Sequence, residues 1–252
     1  MRFEGKSALI TGASAGIGRA AALQLAAEGA AVILGARRGE YLSDLAEEII
    51  AKGGKAVWLA GDVGEEDYAV ALVDLACKSF GGLDLAFNNA GILGDLLPAT
   101  EMPKAEWDLV IRTNLTSAML GAKHQIPAML GRPGAAILMT SSFVGHSLGV
   151  PGMAAYAASK AGMIGLTQVL AAEYGPQGLR INAILPGGTD TAMARSFADT
   201  EEARTGVEEL HALKRMATPE EIARTAVFLL SSDAQFVTGA AILADGGISV
   251  TR

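Results

Sequence analysis

The sequence predicts an α/β protein built on a doubly wound, parallel, seven-stranded sheet with helices on both faces. Three observations carry that expectation. Short β-rich apolar runs alternate with longer stretches whose apolar residues recur at helical spacing. The short runs are apolar throughout, as in strands covered on both faces. Half of the residues are apolar but only 5% are aromatic, and Ala and Gly are abundant, which suits close packing of helices on a sheet. At 252 residues such a sheet forms a single domain, here 1–252.

The first strand is expected at Ser7 to Ile10. It runs into Thr11-Gly12-Ala13-Ser14-Ala15-Gly16-Ile17-Gly18, ahead of a helix over Arg19 to Ala27. Glycines at this spacing permit a tight turn and let a pyrophosphate approach the backbone at a helix N-terminus, so Gly12, Ser14, Gly16, Ile17 and Gly18 are candidates for holding a dinucleotide. A lone glycine-rich turn is weak evidence; its place after the first strand of a βαβ series makes it strong.

The second strand, Val32 to Leu34, ends in Gly35-Ala36-Arg37-Arg38 before a helix over Tyr41 to Lys52. A carboxylate here would hold ribose hydroxyls. Two guanidinium groups would instead grip a 2′-phosphate, which predicts NADP(H) rather than NAD(H) by roughly 10- to 100-fold. The alternative is a pair of solvated arginines at a helix start. The third strand, Val57 to Leu59, leads to Asp62-Val63, where Asp62 either accepts from the adenine amine or caps the helix Tyr68 to Phe80. The fourth, Leu83 to Phe87, leads to Asn88-Asn89-Ala90-Gly91. There Asn89, Ala90 and Gly91 either meet the nicotinamide ribose through the backbone or only close a turn.

A helical stretch from Trp107 to Met129 holds Asn114 among apolar neighbours, where a buried amide can hold a backbone carbonyl or a water. The fifth strand, Ala136 to Met139, is followed by Ser141-Ser142, at the strand end where such folds bind ligands. The helix Ala154 to Tyr174 carries Tyr156 and Lys160 four residues apart, hence on one face. A neighbouring ammonium favours ionisation of a phenol and makes it a usable acid or base. The sixth strand is Ile181 to Leu185 and the seventh Ala241 to Leu243. Between them, Gly187 to Met216 has weak periodicity and reads as a mobile flap over a ligand site. Thr218-Pro219-Glu220-Glu221 is a capping box that starts a helix running to Leu230.

A net charge of -7 leaves no broad positive surface for nucleic acid. The single cysteine, Cys77, falls in an apolar-periodic stretch and is expected to be buried and inert. Three dispersed histidines and one cysteine offer no metal site. With no signal-like start and no apolar run long enough to span a bilayer, a cytoplasmic protein without a membrane partner is expected.

Taken in order, T-G-x-x-x-G-I-G, N-N-A-G, Asn114, the serine pair, Y-x-x-x-K and Pro186-Gly187 resemble the short-chain dehydrogenase/reductase (SDR) family over essentially the whole chain. The resemblance implies a Rossmann-like fold and a catalytic tetrad of Asn114, Ser142, Tyr156 and Lys160. Tyr156 would exchange the proton with the substrate oxygen, and Ser142 would stabilise that oxygen. Lys160 would bind the nicotinamide ribose and lower the Tyr156 pKa, and Asn114 would hold a water that links Lys160 to solvent. Pro186, Gly187 and Thr189 would touch the nicotinamide end, and the chains would assemble as a homotetramer. Some NADP-using members carry a basic residue where this chain has Ala15, so the phosphate preference rests on Arg37 and Arg38. The spacing to Tyr156 leaves Ser141 and Ser142 both open.

Candidates for the substrate wall are Leu93, Val144, His146, Leu148, Met153 and Met193, beside Ser142 and Tyr156. His146 is either a substrate contact or a solvated loop residue. The expected activity is interconversion of a carbonyl and a secondary alcohol of a small molecule. A 3-oxoacyl carrier-protein reductase is the named alternative, needing basic residues such as Arg132 to receive its carrier. A non-catalytic NADP(H)-sensing regulator is the alternative of another class, and predicts a broken tetrad.

Overall fold

The computed structural model describes residues 1–251. Seven strands, β1 (Ser7–Thr11), β2 (Ala31–Ala36), β3 (Lys55–Ala60), β4 (Leu85–Asn88), β5 (Ala136–Thr140), β6 (Arg180–Pro186) and β7 (Ala241–Ala244), form one parallel sheet in the order β3-β2-β1-β4-β5-β6-β7. Between β1 and β4 the chain changes direction across the sheet, so the loops that follow them part and open a crevice at the carboxyl ends.

Alternate strand residues feed two helical layers. Ala8, Ile10, Val32, Leu34, Phe87 and Leu138 pack under α1 (Gly16–Ala27), α2 (Gly39–Ala51) and α9 (Pro219–Leu230). Leu9, Ile33, Ala86, Ile137 and Met139 pack under α3 (Glu66–Phe80), α5 (Ser117–Met129) and α6 (Ala154–Tyr174). Both faces of the central strands are covered, hence their unbroken apolar runs.

The edges depart from that expectation. Trp58 of β3 and Leu243 of β7 are each about two-fifths exposed, because an edge strand is only partly covered by helices. Cys77 is exposed rather than buried, since α3 turns only the Tyr68, Leu72, Val73 and Ala76 side inward. The long helix expected from Trp107 is divided: α4 (Lys104–Ile111) passes through a π-helical turn, Arg112–Thr116, into α5. The extra residue in that turn carries Asn114.

The segment 187–216 contains two short helices that the sequence reading left out, α7 (Ala192–Arg195) and α8 (Glu201–Glu209). Thr191 and Thr200 cap them by accepting from Ala194 N and Ala203 N. α8 buries no residue, so it has too few apolar positions to show a period. The capping box of α9 forms as expected, with Thr218 and Glu221 exchanging bonds. Its other end is held by Arg180, only 9% exposed, which donates to the carbonyls of Leu229 (2.9 Å), Leu230 (3.3 Å) and Ser231 (3.0 Å) and to Val237 (3.4 Å). Among the described residues no helix is long and apolar enough to cross a membrane, and no cluster of His, Cys, Asp or Glu could hold a metal ion.

Candidate active site

A cleft of about 640 Å³ lies across the carboxyl ends of the strands. Its floor at one end is the turn after β1. Gly12 has φ 67° there, and an added Cβ would lie 3.0 Å from Ala90 Cα and Asn89 Nδ2. α1 begins at Gly16 with no side-chain cap from Ala15 and no acidic residue in its first turn. The first amides of α1 therefore face the cleft without an internal partner, a ready cradle for a phosphate group. Gly12, Ser14, Gly16 and Ile17 line the cleft. Gly18 does not; it lies behind the turn, where a Cβ would fall 2.4 Å from Gly12 O, so its role is helix-on-loop packing.

Arg37 and Arg38 both line this end. Arg38 donates to Ser14 Oγ at 3.2 Å and stacks 4.2 Å from the centre of the Tyr41 ring, so it is steered toward the glycine turn. Asp62 and Val63 line the cleft beside them. Asp62 does not cap α3, whose first turn follows Glu65. Its carboxylate accepts from Gly64 N (2.9 Å) and from Arg112 (3.0 Å), and these bonds, the backbone one foremost, hold it below the usual carboxylate range. Arg112 was not picked out by the sequence reading; it opens the π turn and also pairs with Glu65 at 2.8 Å.

Asn89 bridges β1 and β5, donating to Thr11 O (3.2 Å) and accepting from Thr140 Oγ1 (3.1 Å). The Thr11 hydroxyl accepts from the amides of both Asn89 and Ala90. Asn89, Ala90 and Gly91 thus line the cleft from a fixed turn. Gly91 admits no larger residue without movement, since a Cβ would stand 3.1 Å from Asn114 Oδ1 and 3.4 Å from Lys160 Nζ.

Tyr156, Lys160 and Ser142 meet in the other half. Ser141 Oγ is buried and donates to Lys160 O at 2.7 Å, which occupies it structurally. Ser142 Oγ accepts from Val144 N at 3.1 Å and lies beside the Tyr156 phenol, so it is Ser142 that faces the cleft chemistry. Asn114 is fully buried, and its amide is committed to Ile92 N (2.8 Å), Ile92 O (2.9 Å) and Ser159 Oγ (3.0 Å).

In the protein alone, burial pushes the Tyr156 phenol up, and the Ser142 hydroxyl only partly draws it back. In this arrangement Lys160 Nζ is 5.5 Å from the centre of the Tyr156 ring and donates to Thr140 O at 2.7 Å. Burial pushes Lys160 itself down from 10.5 to about 8. Below about pH 8 both folded and unfolded chains hold this proton, and the cost of burying the ammonium is fully present. Between about 8 and 10.5 the unfolded chain keeps the proton longer, so that cost is relieved as pH rises. We predict that the melting temperature of the wild type, relative to Lys160→Met, climbs over this window by an amount reflecting about 3 kcal/mol. Thermal denaturation of both proteins at several pH values checks this.

Leu93, Val144, Met153 and Met193 line the cleft as expected, whereas His146 and Leu148 do not; both are exposed on the outer side of their loop. Pro186, Gly187 and Thr189 line it too, with Thr189 Oγ1 donating to Gly187 O at 3.1 Å. The flap adds Phe197, Val207 and Leu210 to the wall. It is tied down by the buried His211, which accepts from Gly188 N at 2.9 Å and is within 2.8 Å of Val207 O. Val207, in α8, lies one turn before His211, but Gly188 is 23 residues away, and that partner is seen only once the loop after β6 has folded.

The chain matches the family model described as Enoyl-(Acyl carrier protein) reductase over residues 12–249. A solved short-chain dehydrogenase from Burkholderia cenocepacia, in complex with NADP, superposes with a TM-score of 0.93 at 31% identity, over 99% of this chain and all of that one. The chain belongs to the short-chain dehydrogenase/reductase family. SDR enzymes act on CH–OH and C=O groups and use a nicotinamide cofactor, and this member is an oxidoreductase of that kind. Its curated relatives include the cyclohexanol dehydrogenase of an Acinetobacter strain, 39% identical over 97% of this chain and 95% of the relative. A cis-4-hydroxycyclohexanecarboxylate dehydrogenase of Sinomonas cyclohexanicum is 38% identical over 97% of each. A 3-oxoacyl-[acyl-carrier-protein] reductase of Thermotoga maritima is 38% identical over 99% of this chain and 100% of the relative. Among solved structures, levodione reductase superposes at a TM-score of 0.93 with 36% identity over the whole of both chains.

Proposed function

We propose that this SDR member, acting as one domain over 1–252, uses NADP(H) to interconvert a ketone and a secondary alcohol on an alicyclic ring. The observation that carries the reading is the meeting of Tyr156, Ser142 and Lys160 in a cleft whose far end holds Arg37 and Arg38. The apolar walls and the relatives named for cyclohexanol and 4-hydroxycyclohexanecarboxylate support the ring. Family resemblance supports a homotetramer working in the cytoplasm.

Gly12, Ser14, Gly16 and Ile17 would hold the pyrophosphate, Arg37 and Arg38 the 2′-phosphate, and Asp62 and Val63 the adenine. Asn89, Ala90 and Gly91, with Tyr156 and Lys160, would hold the nicotinamide ribose, and Pro186, Gly187 and Thr189 the nicotinamide. When bound, the nicotinamide supplies or accepts the hydride. Tyr156 gives its phenolic proton to the ketone oxygen in reduction and takes it back in oxidation. Ser142 accepts from Val144 N, which leaves its own proton to donate to that oxygen. Lys160, moved from Thr140 O toward the ribose and Tyr156, would favour the phenolate.

The Thermotoga relative and the family description favour a second reading, reduction of a 3-oxoacyl thioester on a carrier protein. Against it, Arg132 is engaged by the buried Asp84 at 3.0 and 3.2 Å and is not free to receive an acidic carrier. Turnover of acetoacetyl thioesters above that of cyclohexanone would favour this second reading.

Titration with NADPH and NADH, followed by nicotinamide fluorescence, tests the cofactor. A preference for NADPH of roughly tenfold or more, lost in Arg37→Ala, is expected. Equal or tighter NADH binding would make both arginines surface charges. Tight binding without turnover of any carbonyl would instead favour a sensing regulator.

A further inference from the structure

The cleft sorts its charge to one end. Six ionisable side chains line it: Arg37, Arg38, Asp62, Arg112, Tyr156 and Lys160. The first four stand together around the turns after β2 and β3, where Arg112 is already paired with Asp62 at 3.0 Å and Glu65 at 2.8 Å. Lys160 is turned to Thr140 O. Beyond Tyr156 the wall is Leu93, Val144 and Met153 on one side and Met193, Phe197 and Leu210 of the flap on the other. Among the described residues, no charged side chain lines this part. The flap does carry cations, but none of them lines the cleft and each is paired locally: Arg195 with Asp190 at 3.3 Å, Arg204 with Asp190 at 3.1 Å and Glu208 at 3.2 Å, Lys214 with Glu209 at 3.2 Å, and Arg215 with Glu221 at 2.7 Å.

Building on the ring-alcohol reading, we infer that the substrate is a neutral alicyclic ketone or alcohol, and that a ring bearing a carboxylate is rejected. A carboxylate brought against the wall of Leu93, Val144, Met153, Met193, Phe197 and Leu210 loses hydration and meets no counter-charge or donor to replace it. A neutral ring of the same size loses only apolar exposure there, which favours binding. The selectivity separates this chain from the relative named for 4-hydroxycyclohexanecarboxylate, despite 38% identity. Met193, at the rim and 37% exposed, is the position where one substitution could reverse it.

The test compares 4-oxocyclohexanecarboxylate, its methyl ester and cyclohexanone near pH 7, using the full-length protein saturated with its tighter-binding cofactor. The ester removes the charge and adds one methyl group, and cyclohexanone, with no substituent at all, controls for that methyl. Its kcat/KM is expected to exceed that of the carboxylate by about tenfold or more, with cyclohexanone grouping with the ester. Met193→Arg, which places a guanidinium at the rim, is expected to narrow that gap by raising kcat/KM for the carboxylate relative to the ester; the wild-type comparison stands by itself if the variant folds poorly. A carboxylate turned over as well as its ester by the wild type overturns charge rejection and leaves the ring reading intact. Cofactor binding with no turnover of any of the three overturns the ring reading, and this inference with it.

Discussion

Tyr156→Phe should lower turnover by about 10²- to 10⁴-fold while changing the affinity for reduced cofactor far less. The substitution keeps the ring that packs between Ser142 and Lys160 and deletes only the proton that the substrate oxygen needs. Loss of kcat with retained cofactor fluorescence would assign Tyr156 to the chemical step. A variant that turned over within about threefold of the wild type would remove Tyr156 from the role of acid and base. Ser142→Ala provides a comparison, because it removes one donor to the same oxygen and leaves the proton carrier in place.

Arg180→Met is expected to produce the largest loss of stability. Among the described residues the buried guanidinium has no carboxylate partner; it donates to three carbonyls at the C-terminal end of α9 and to a fourth from Val237. Burial pushes its pKa down, so the site already bears a cost that the carbonyls and the negative end of the helix offset. Methionine fills the space and orphans those acceptors, which should cost about 3 kcal/mol and lower the melting temperature by roughly 6–12 °C. Calorimetry measures it. A shift below about 2 °C would mean that water replaces the guanidinium at no great expense.

The fold was legible because the central strands are covered on both faces and their apolar runs stand out against helical spacing. The expected burial failed where cover is partial, at Trp58 and Leu243, and on α3, where a periodic stretch still leaves Cys77 outside. The site was legible where its residues are contiguous, as in the glycine turn and the Tyr156–Lys160 pair. It was not legible where function depends on a partner from elsewhere in the chain. Ser141 and Ser142 are neighbours that point opposite ways, and only the position of the Lys160 carbonyl separates them. Arg112 looks like a solvated helix residue until Asp62 and Glu65 are brought beside it. Arg132 looks available until the buried Asp84 takes it; there burial favours the neutral acid, but the bonds from Arg132 and Ser7 N outweigh it and hold the carboxyl low. α7 and α8 escaped because short, polar helices carry too few apolar residues to display a repeat.

The bond from Val144 N to Ser142 Oγ has a bearing on handedness. With one lone pair taken by that amide, the serine keeps its proton free to donate, and it stands on the same side of the cleft as Tyr156. Under the proposed reading, two donors on one wall would fix where the substrate oxygen sits, and the turns after β1 and β4 would fix the side from which reduction comes. A ketone with unlike flanks would then have one face presented for attack. The alcohol released should be a single enantiomer, and a racemic alcohol offered for oxidation should be consumed to half.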